Sequence, residues 1–498
     1  VTVEHLPVDN ILLVAAGLMV IGVLIVGASD RLRVPAALLS LGIGILFGSD
    51  VLGLVDVSDM AMVRDISVVA LMIILFEGGL TTKPSVLRES GVPGFVLANV
   101  GVLVSAGVVA AGVQLLFPDT GWETALIIGA VVASTDAAVV FDVVRRTPIP
   151  KRLAGILEIE SGVNDPFAIL LTIGLIEVTR SNPGVQDWLV FGARQLVGGI
   201  AVGLLGGWIG SRLLRFRLRS SGLYPLLALA MAGLTFAVAA YIGSSGFLAV
   251  YICGLMIGAL APRHRRVVRS FHASLANGAD IALFLLLGLL VFPAELPAVA
   301  VPALAVAAIL LLVGRPLAVF LAMLPFRLSW REMTFLSWAG LRGALPIVLA
   351  TFPATAGVAA GDTIFNLVFF VVLVSALLQG TTVAPLAKRL DLVVDRPAWQ
   401  SIAEAVELED VDVDLIEIEV TDDLALVGTT LSTNPPPEGM LITTMIRDHK
   451  AAIPTPDTVF ASGDFLMVAV NSGHDRVREV TAWARGETRT SDSTGSAS

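Results

Sequence analysis

The chain has 498 residues, 56% of them hydrophobic and 15% charged, with a mean hydropathy of +0.86 and a formal net charge of −10. Soluble domains run at about half apolar and about a quarter charged, so the bulk of the chain reads as a polytopic membrane protein. A single cysteine, Cys253, excludes a disulfide framework and a cysteine metal site, the five histidines form no metal-ligand pair, and no basic cluster suits nucleic acid.

The charge is unevenly spread. From Asp391 onward there are 20 Asp/Glu against 7 Lys/Arg, whereas residues 1–390 hold 22 against 25. This divides an apolar body from an acidic, soluble tail. The first apolar run reads as a span rather than a cleaved leader.

An apolar run of about 20 residues crosses a bilayer. Thirteen such runs are expected, near 10–29, 35–54, 62–80, 92–117, 122–144, 152–179, 189–214, 222–241, 243–262, 270–292, 297–325, 331–352 and 362–387. Alternate loops, beginning with the first, carry 21 Lys/Arg, and the opposite loops carry only Arg64 and Arg180. Positive charge marks the cytoplasmic side. The N-terminus is therefore expected outside, the tail in the cytoplasm, and the protein in the inner (plasma) membrane.

Charges remain inside the runs, each costing about 2.5–3.5 kcal/mol at mid-bilayer. In the third run, Glu77 of "LFEGGL" reads as a peripheral ion ligand or as a structural acid bonded to backbone. The fifth run carries "ASTDAAVVF", whose Ser134, Thr135 and Asp136 are able to coordinate a dehydrated monovalent cation or to hold an unwound backbone. Asp142 reads as solvated beside Arg145 and Arg146. The sixth run carries "EIESGVNDPFAILL". Glu160 with Asn164, and Ser161 with Asp165, are four apart and form one polar face. Asp165 lies near the middle of the run. Pro166 has no N–H, so the Gly162 carbonyl is expected to lose its helical partner. Polar glue between helices is usually Ser, Thr or Asn, whereas two carboxylates and a freed carbonyl suit a cation.

Asp280, in the tenth run, reads as structural. The eleventh run holds Arg315. The twelfth, "GLRGALPIVLA", has Gly340, Gly343 and Pro346 as breakers at mid-span around Arg342. Such breaks are tolerated where backbone lines a cavity or is buried in protein. Both deep arginines need a carboxylate, and Glu160 is the best candidate. The interrupted fifth and twelfth runs occupy matching places in two six-run halves. This arrangement points to inverted repeats with a midplane site.

"FEGGL", "ASTDAAVVF", "ESGVNDPFAILL", "LFLLLGLLVFP", "GRPLAV" and "WAGLRGALPIVLA", in this order, resemble the NhaP-type monovalent cation/proton antiporters, potassium/proton or sodium/proton exchangers. The resemblance covers most of residues 10–390. It implies an all-α membrane domain of 13 helices with inverted six-helix repeats. Unwound helices 5 and 12 would cross near the ion, and a core would move against a dimerisation domain in a homodimer. It implies that Asp165 binds cation and proton in turn, and that Thr135, Asp136 and Ser161 line the site. Asn164 would partner the Asn-Asp pair, Glu160 would pair with Arg315, and Arg342 would stabilise the helix crossing. A single carboxylate that exchanges one charge for one makes the expected antiport electroneutral, by alternating access.

In the tail, "VDLIEIEV", "GMLITTMIRD" and "GDFLMVAV" alternate as strands do, with turns between them. Residues 402–485 resemble a TrkA-C (RCK-C) domain, a small α/β cytosolic module. That family implies a small cytosolic, nucleotide-like ligand at a dimer interface, although "STNPPPEG" departs from its pattern; assembly without a ligand stays open. Residues 486–498 are expected to be disordered. The expected domains are thus an antiporter body over 1–396, the TrkA-C module over 402–485 and the tail.

The function expected is potassium/proton antiport in the membrane lipid, serving cation and pH or cell-volume homeostasis. The core motifs do not choose the ion, and the TrkA-C resemblance favours potassium over sodium. A channel gated by the tail would need a carbonyl filter loop of the "TVGYG" kind, which the sequence lacks; a sensor that does not transport is the other rival. No phosphate loop, His/Cys cluster or nucleophile elbow suggests an enzyme, and no cofactor or transition metal is expected.

Overall fold

The computed structural model describes residues 7–32, 35–55, 57, 59–82, 84–136, 149–181, 185–260, 265–358, 360–393, 403–407, 413–422, 424–447, 450–471 and 476–486. Asp142, Arg145 and Arg146, and the tail from residue 487, lie outside the described residues. The chain divides into two units, Val1–Val393 and Val394–Ser498.

The first unit is helical. Among the described residues its helices begin with α1 (Pro7–Leu32), α2 (Ala36–Phe47), α3 (Met60–Thr81), α4 (Pro84–Leu116), α5 (Trp122–Ala133), α6 (Lys151–Ser181), α7 (Val185–Leu213), α8 (Leu223–Tyr241), α9 (Gly246–Leu260) and α10 (Arg265–Leu289). They are followed by α11 (Leu296–Ile309), α12 (Arg315–Met323), α13 (Trp330–Ala339), α14 (Ala344–Thr355) and α15 (Gly361–Arg389). Among the described residues, seven helical stretches are long and apolar enough to cross a membrane. There are eight if α13 and α14, bent by 52° at their break, count as one span.

Local chemistry sets the element ends. The Asp59 carboxylate accepts from the N–H groups of Ala61 and Met62 and starts α3. A reciprocal Ser329–Glu332 capping box starts α13. Between α11 and α12 the helix widens into a π turn, Leu310–Gly314. Pro316 has no N–H for the Leu312 carbonyl, and a wider turn eases the clash its ring would cause.

The helices pack as two groups. One joins α4 to α5, α6 and α12, and α15 to α14 and α11. The other joins α9 to α3, α7 and α8, and α10 to α2 and α3. The groups meet where α3, α9 and α10 face α6 and α14. Close approach inside the second group depends on missing side chains. A Cβ at Gly258 would collide with the Leu80 carbonyl, so α3 and α9 touch backbone to backbone.

The second unit holds β1 (Ala403–Glu407), β2 (Val413–Glu419), β3 (Met440–Arg447), β4 (Lys450–Ala452), β5 (Phe465–Asn471) and α16 (Arg476–Ala484). The sheet is antiparallel, in the order β1-β2-β5-β3-β4. Alternation puts Ile416 and Ile418 of β2 into its core beside Leu466, Val468 and Trp483. Trp483 also donates from Nε1 to the Pro435 carbonyl at 3.0 Å, fastening the "NPPPEG" stretch to α16. Asp464 is buried and accepts from Arg447 through both carboxylate oxygens, at 2.6 Å each.

Candidate functional site

The site forms where two helices stop short. α5 ends at Ala133, and Ser134 is extended. α13 ends at Ala339, and α14 restarts at Ala344. The two breaks are joined by backbone: the Asp136 N–H donates to the Leu341 carbonyl at 2.9 Å. The Asp136 carboxylate in turn accepts from the Ala344 N–H at 3.1 Å, at the N-terminus of α14, where orphan N–H groups and the helix dipole favour negative charge. Gly343 has no side chain because one would collide with that carboxylate.

Beside these breaks runs α6, which continues as helix through Pro166. Its Glu160, Ser161, Asn164 and Asp165 are all buried. Asn164 donates to the Thr135 hydroxyl at 2.5 Å, tying α6 to the stretch after α5. Asp165 and Ser161 turn into a small cavity between the two helix groups, also lined by Asp136, Tyr251, Asp280 and the first residues of α14. The Asp165 Oδ1 and the Ser161 hydroxyl are buried and have no hydrogen-bond partner among the described residues. Among the described residues, three carboxylates line the cavity and no Lys or Arg does. This donor set suits a monovalent cation or a proton and repels anions.

Asp280 was expected to be structural from sequence, but it lines this same cavity from α10. Tyr251 of α9, which no motif marks, lines it too. An isolated Asp or Tyr in an apolar run carries no local signal of what faces it; only the meeting of the helix groups reveals the placement. Glu77 is half-buried on α3, which lends Leu71, Ile74, Leu75 and Gly78 to the cavity wall but not Glu77. Neighbouring helical residues point about 100° apart, so Gly78 in the lining turns Glu77 aside.

The two deep arginines have different partners. Arg315 pairs through both Nη atoms with the Glu160 carboxylate and reaches the Leu336 carbonyl at 3.3 Å. A Cβ at Gly340 would come within 2.5 Å of the Arg315 guanidinium, so this glycine makes room for the pair. Arg342 instead donates to the carbonyls of Ala133 and Ser134, at 2.7 and 2.5 Å. The expected carboxylate partner is thus replaced, for Arg342, by carbonyl oxygens that the end of α5 leaves without helical donors.

Residues 18–389 match the family described as sodium/hydrogen exchanger, transmembrane. The chain belongs to this family of cation/proton antiporters. The antiporter is a multi-pass membrane protein and a transporter, not an enzyme. Its residues 415–482 match the TrkA-C domain. It is 36% identical over 468 residues to the K(+)/H(+) antiporter NhaP2 of Shewanella sp. (strain ANA-3), covering 93% of this chain and 81% of that protein. It is likewise 36% identical to the K(+)/H(+) antiporter NhaP of Alkalimonas amylolytica, covering 92% and 80%. The Na(+)/H(+) antiporter NhaS2 of Synechocystis sp. is 31% identical over 352 residues, 67% of this chain and 63% of that protein. The fold is similar to that of the sodium proton antiporter MjNhaP1 from Methanocaldococcus jannaschii at pH 8. The TM-score is 0.67 at 24% identity, over 76% of this chain and 99% of that one.

Proposed function

We propose that the antiporter exchanges potassium for protons, one for one, and that Asp165 is the carboxylate that holds either in turn. The observation that carries this reading is the buried Asp165, with one oxygen unpartnered among the described residues, facing a cavity between two separately packed helix groups. One carboxylate cannot hold a proton and a cation together, so they compete. Either ligand neutralises the charge and lets the group carrying α6 move past the other. The empty, charged form is held back by the cost of an uncompensated buried charge. That asymmetry couples the two fluxes.

In this reading Ser161, Thr135 and Asp136 complete the site with Asp165, and Asn164 stands where a second acid would add a charge. Asp280 supplies negative potential from the facing group. Glu160 with Arg315, and Arg342 with the end of α5, hold the frame. Glu77 is left outside the ion site. Potassium is favoured by the names of the two relatives matched across more than 90% of this chain, TrkA-C domain included.

The same reading proposes thirteen spans in two inverted six-helix repeats, with the N-terminus outside and the TrkA-C domain in the cytoplasm. It divides the chain into 1–396, 402–485 and a C-terminal tail. It further proposes a homodimer in the lipid bilayer and a small cytosolic ligand on the TrkA-C domain. The test is dequenching of a pH dye in proteoliposomes on adding K⁺, Na⁺, Rb⁺ or Li⁺ in turn. Dequenching strongest with K⁺ and abolished by Asp165→Asn is expected. An Asp165→Asn protein that exchanged at the wild-type rate would overturn the site, and a stronger response to Na⁺ would overturn the choice of ion.

A further inference from the structure

On another flank of the helical unit, away from the ion cavity, a groove of about 570 Å³ opens among the π turn, α12, α13 and α15. It is too large and too apolar for an ion: Leu312, Phe320 and Leu386 form much of its wall. Its hydroxyls are already used. Thr334 donates to the Trp330 carbonyl at 2.8 Å, Ser337 to the Met333 carbonyl at 2.7 Å and Thr382 to the Leu378 carbonyl at 2.5 Å. The indole N–H of Trp338 is spent on Thr382, at 2.8 Å. One lining group is different. Arg389, in the last turn of α15, is exposed and has no acidic partner among the described residues.

We propose that this groove seats one anionic phospholipid of the cytoplasmic leaflet, an acyl chain along Leu312, Phe320 and Leu386 and the headgroup phosphate on Arg389. The groove lies in membrane-spanning helices, and Leu312, 64% exposed, opens it to the hydrocarbon. A wall without free donors accepts only a hydrocarbon chain, and a lone guanidinium at the helix end accepts an anion. Lys388 adds charge in the same turn. The seat also touches the transport machinery from behind. Leu312 and Pro316 flank Arg315, and Ser337 follows the Leu336 carbonyl that Arg315 reaches. A chain in the groove therefore packs against the backbone that presents Arg315 to Glu160. The placement in the cytoplasmic leaflet rests on the orientation proposed above.

The experiment uses the full chain in phosphatidylcholine vesicles in which either phosphatidylcholine or phosphatidylglycerol carries brominated acyl chains. Quenching of Trp338 is read as the difference between wild type and Trp338→Phe. Half-maximal quenching is expected at an about fivefold lower mole fraction of the brominated phosphatidylglycerol, the factor one basic residue supplies at an anionic lipid. Arg389→Gln should make the two lipids equal, and Arg389→Lys should keep the preference. Equal quenching in the wild type, a preference that survives Arg389→Gln, or no quenching by either lipid, as when a second copy covers the groove, would each overturn the proposal. Cation/proton exchange in the same vesicles is a separate readout. Loss of exchange with the lipid preference intact would count against the antiport reading and leave the lipid seat standing.

Discussion

Arg342 donates to the carbonyl oxygen of Ala133 at 2.7 Å, so the break in one interrupted helix is closed by the break in the other. The end of α5 leaves carbonyls that no helical N–H can reach, in a place where water cannot replace it. A guanidinium in the α13–α14 gap supplies the donors. Removing it leaves two buried acceptors unsatisfied, at about 1–3 kcal/mol each. Arg342→Ala should lower the melting temperature in detergent and cut exchange. Arg342→Lys should recover only part of both, because a lysine lacks the planar fork.

Gly343→Ala tests the crossing from the other side. The new Cβ needs the space of the Asp136 carboxylate, which would have to give up its bond from the Ala344 N–H. Overpacking of this kind costs about 1–3 kcal/mol. The expected result is a folded protein, seen by size-exclusion chromatography, whose exchange rate falls about tenfold or more.

The Glu160–Arg315 pair lends itself to a double-mutant cycle. Both side chains are 2% exposed. Arg315→Leu alone leaves a buried carboxylate and should destabilise by about 3–5 kcal/mol, as should Glu160→Leu. The double leucine variant should be more stable than either single one. Thermal unfolding in detergent measures all four proteins, and additive losses would show that the two charges do not hold each other.

Asp280 separates affinity from coupling. If it contributes only negative potential to the cavity, Asp280→Asn should raise the apparent KM for the cation several-fold and still permit exchange. Asp165→Asn should permit none. Rate against cation concentration at fixed pH distinguishes these outcomes.

Asp464 gives the soluble unit a pH signature. Hydrogen bonds from Arg447 hold its carboxyl below the ordinary value of 3.8. A group whose folded pKa is depressed contributes stability above its unfolded pKa and loses it as pH falls through the folded one. Asp464→Ala should therefore speed amide exchange in β3 and β5 at neutral pH. The ratio of variant to wild type should shrink as pH drops below about 4.

The apolar helical body and its separation from the acidic tail were legible because hydropathy and charge are local properties. The polar face of α6 was legible for the same reason: residues four apart must share a side. Partners across helices were legible only in part: Glu160 was expected to pair with Arg315, and does. Arg342 was expected to find a carboxylate, yet the acceptors it reaches are backbone carbonyls, and no side-chain pattern marks where a helix will stop. Tyr251 and Asp280 enter the cavity through the packing of α9 against α6 and of α10 against α14, between segments far apart in the chain. Gly78 lines the wall in place of Glu77, because a motif names a turn of helix without fixing which residue of that turn faces the neighbour.

The π turn at Leu310–Gly314 sets a limit on how this gene can vary. It holds one residue more than an ordinary turn, in a stretch of leucines and valine that looks freely exchangeable. Substituting one aliphatic residue for another there should be nearly silent. Deleting a single codon there would remove the extra residue and restore a regular helix, with the residues beyond it on their present face but the Pro316 ring set against the carbonyl four residues before it. Arg315 would stay on the side of Glu160, and the helix would bear the proline clash, about 3 kcal/mol or more. The segment thus counts residues rather than choosing them: it tolerates missense change and is intolerant of a one-residue deletion.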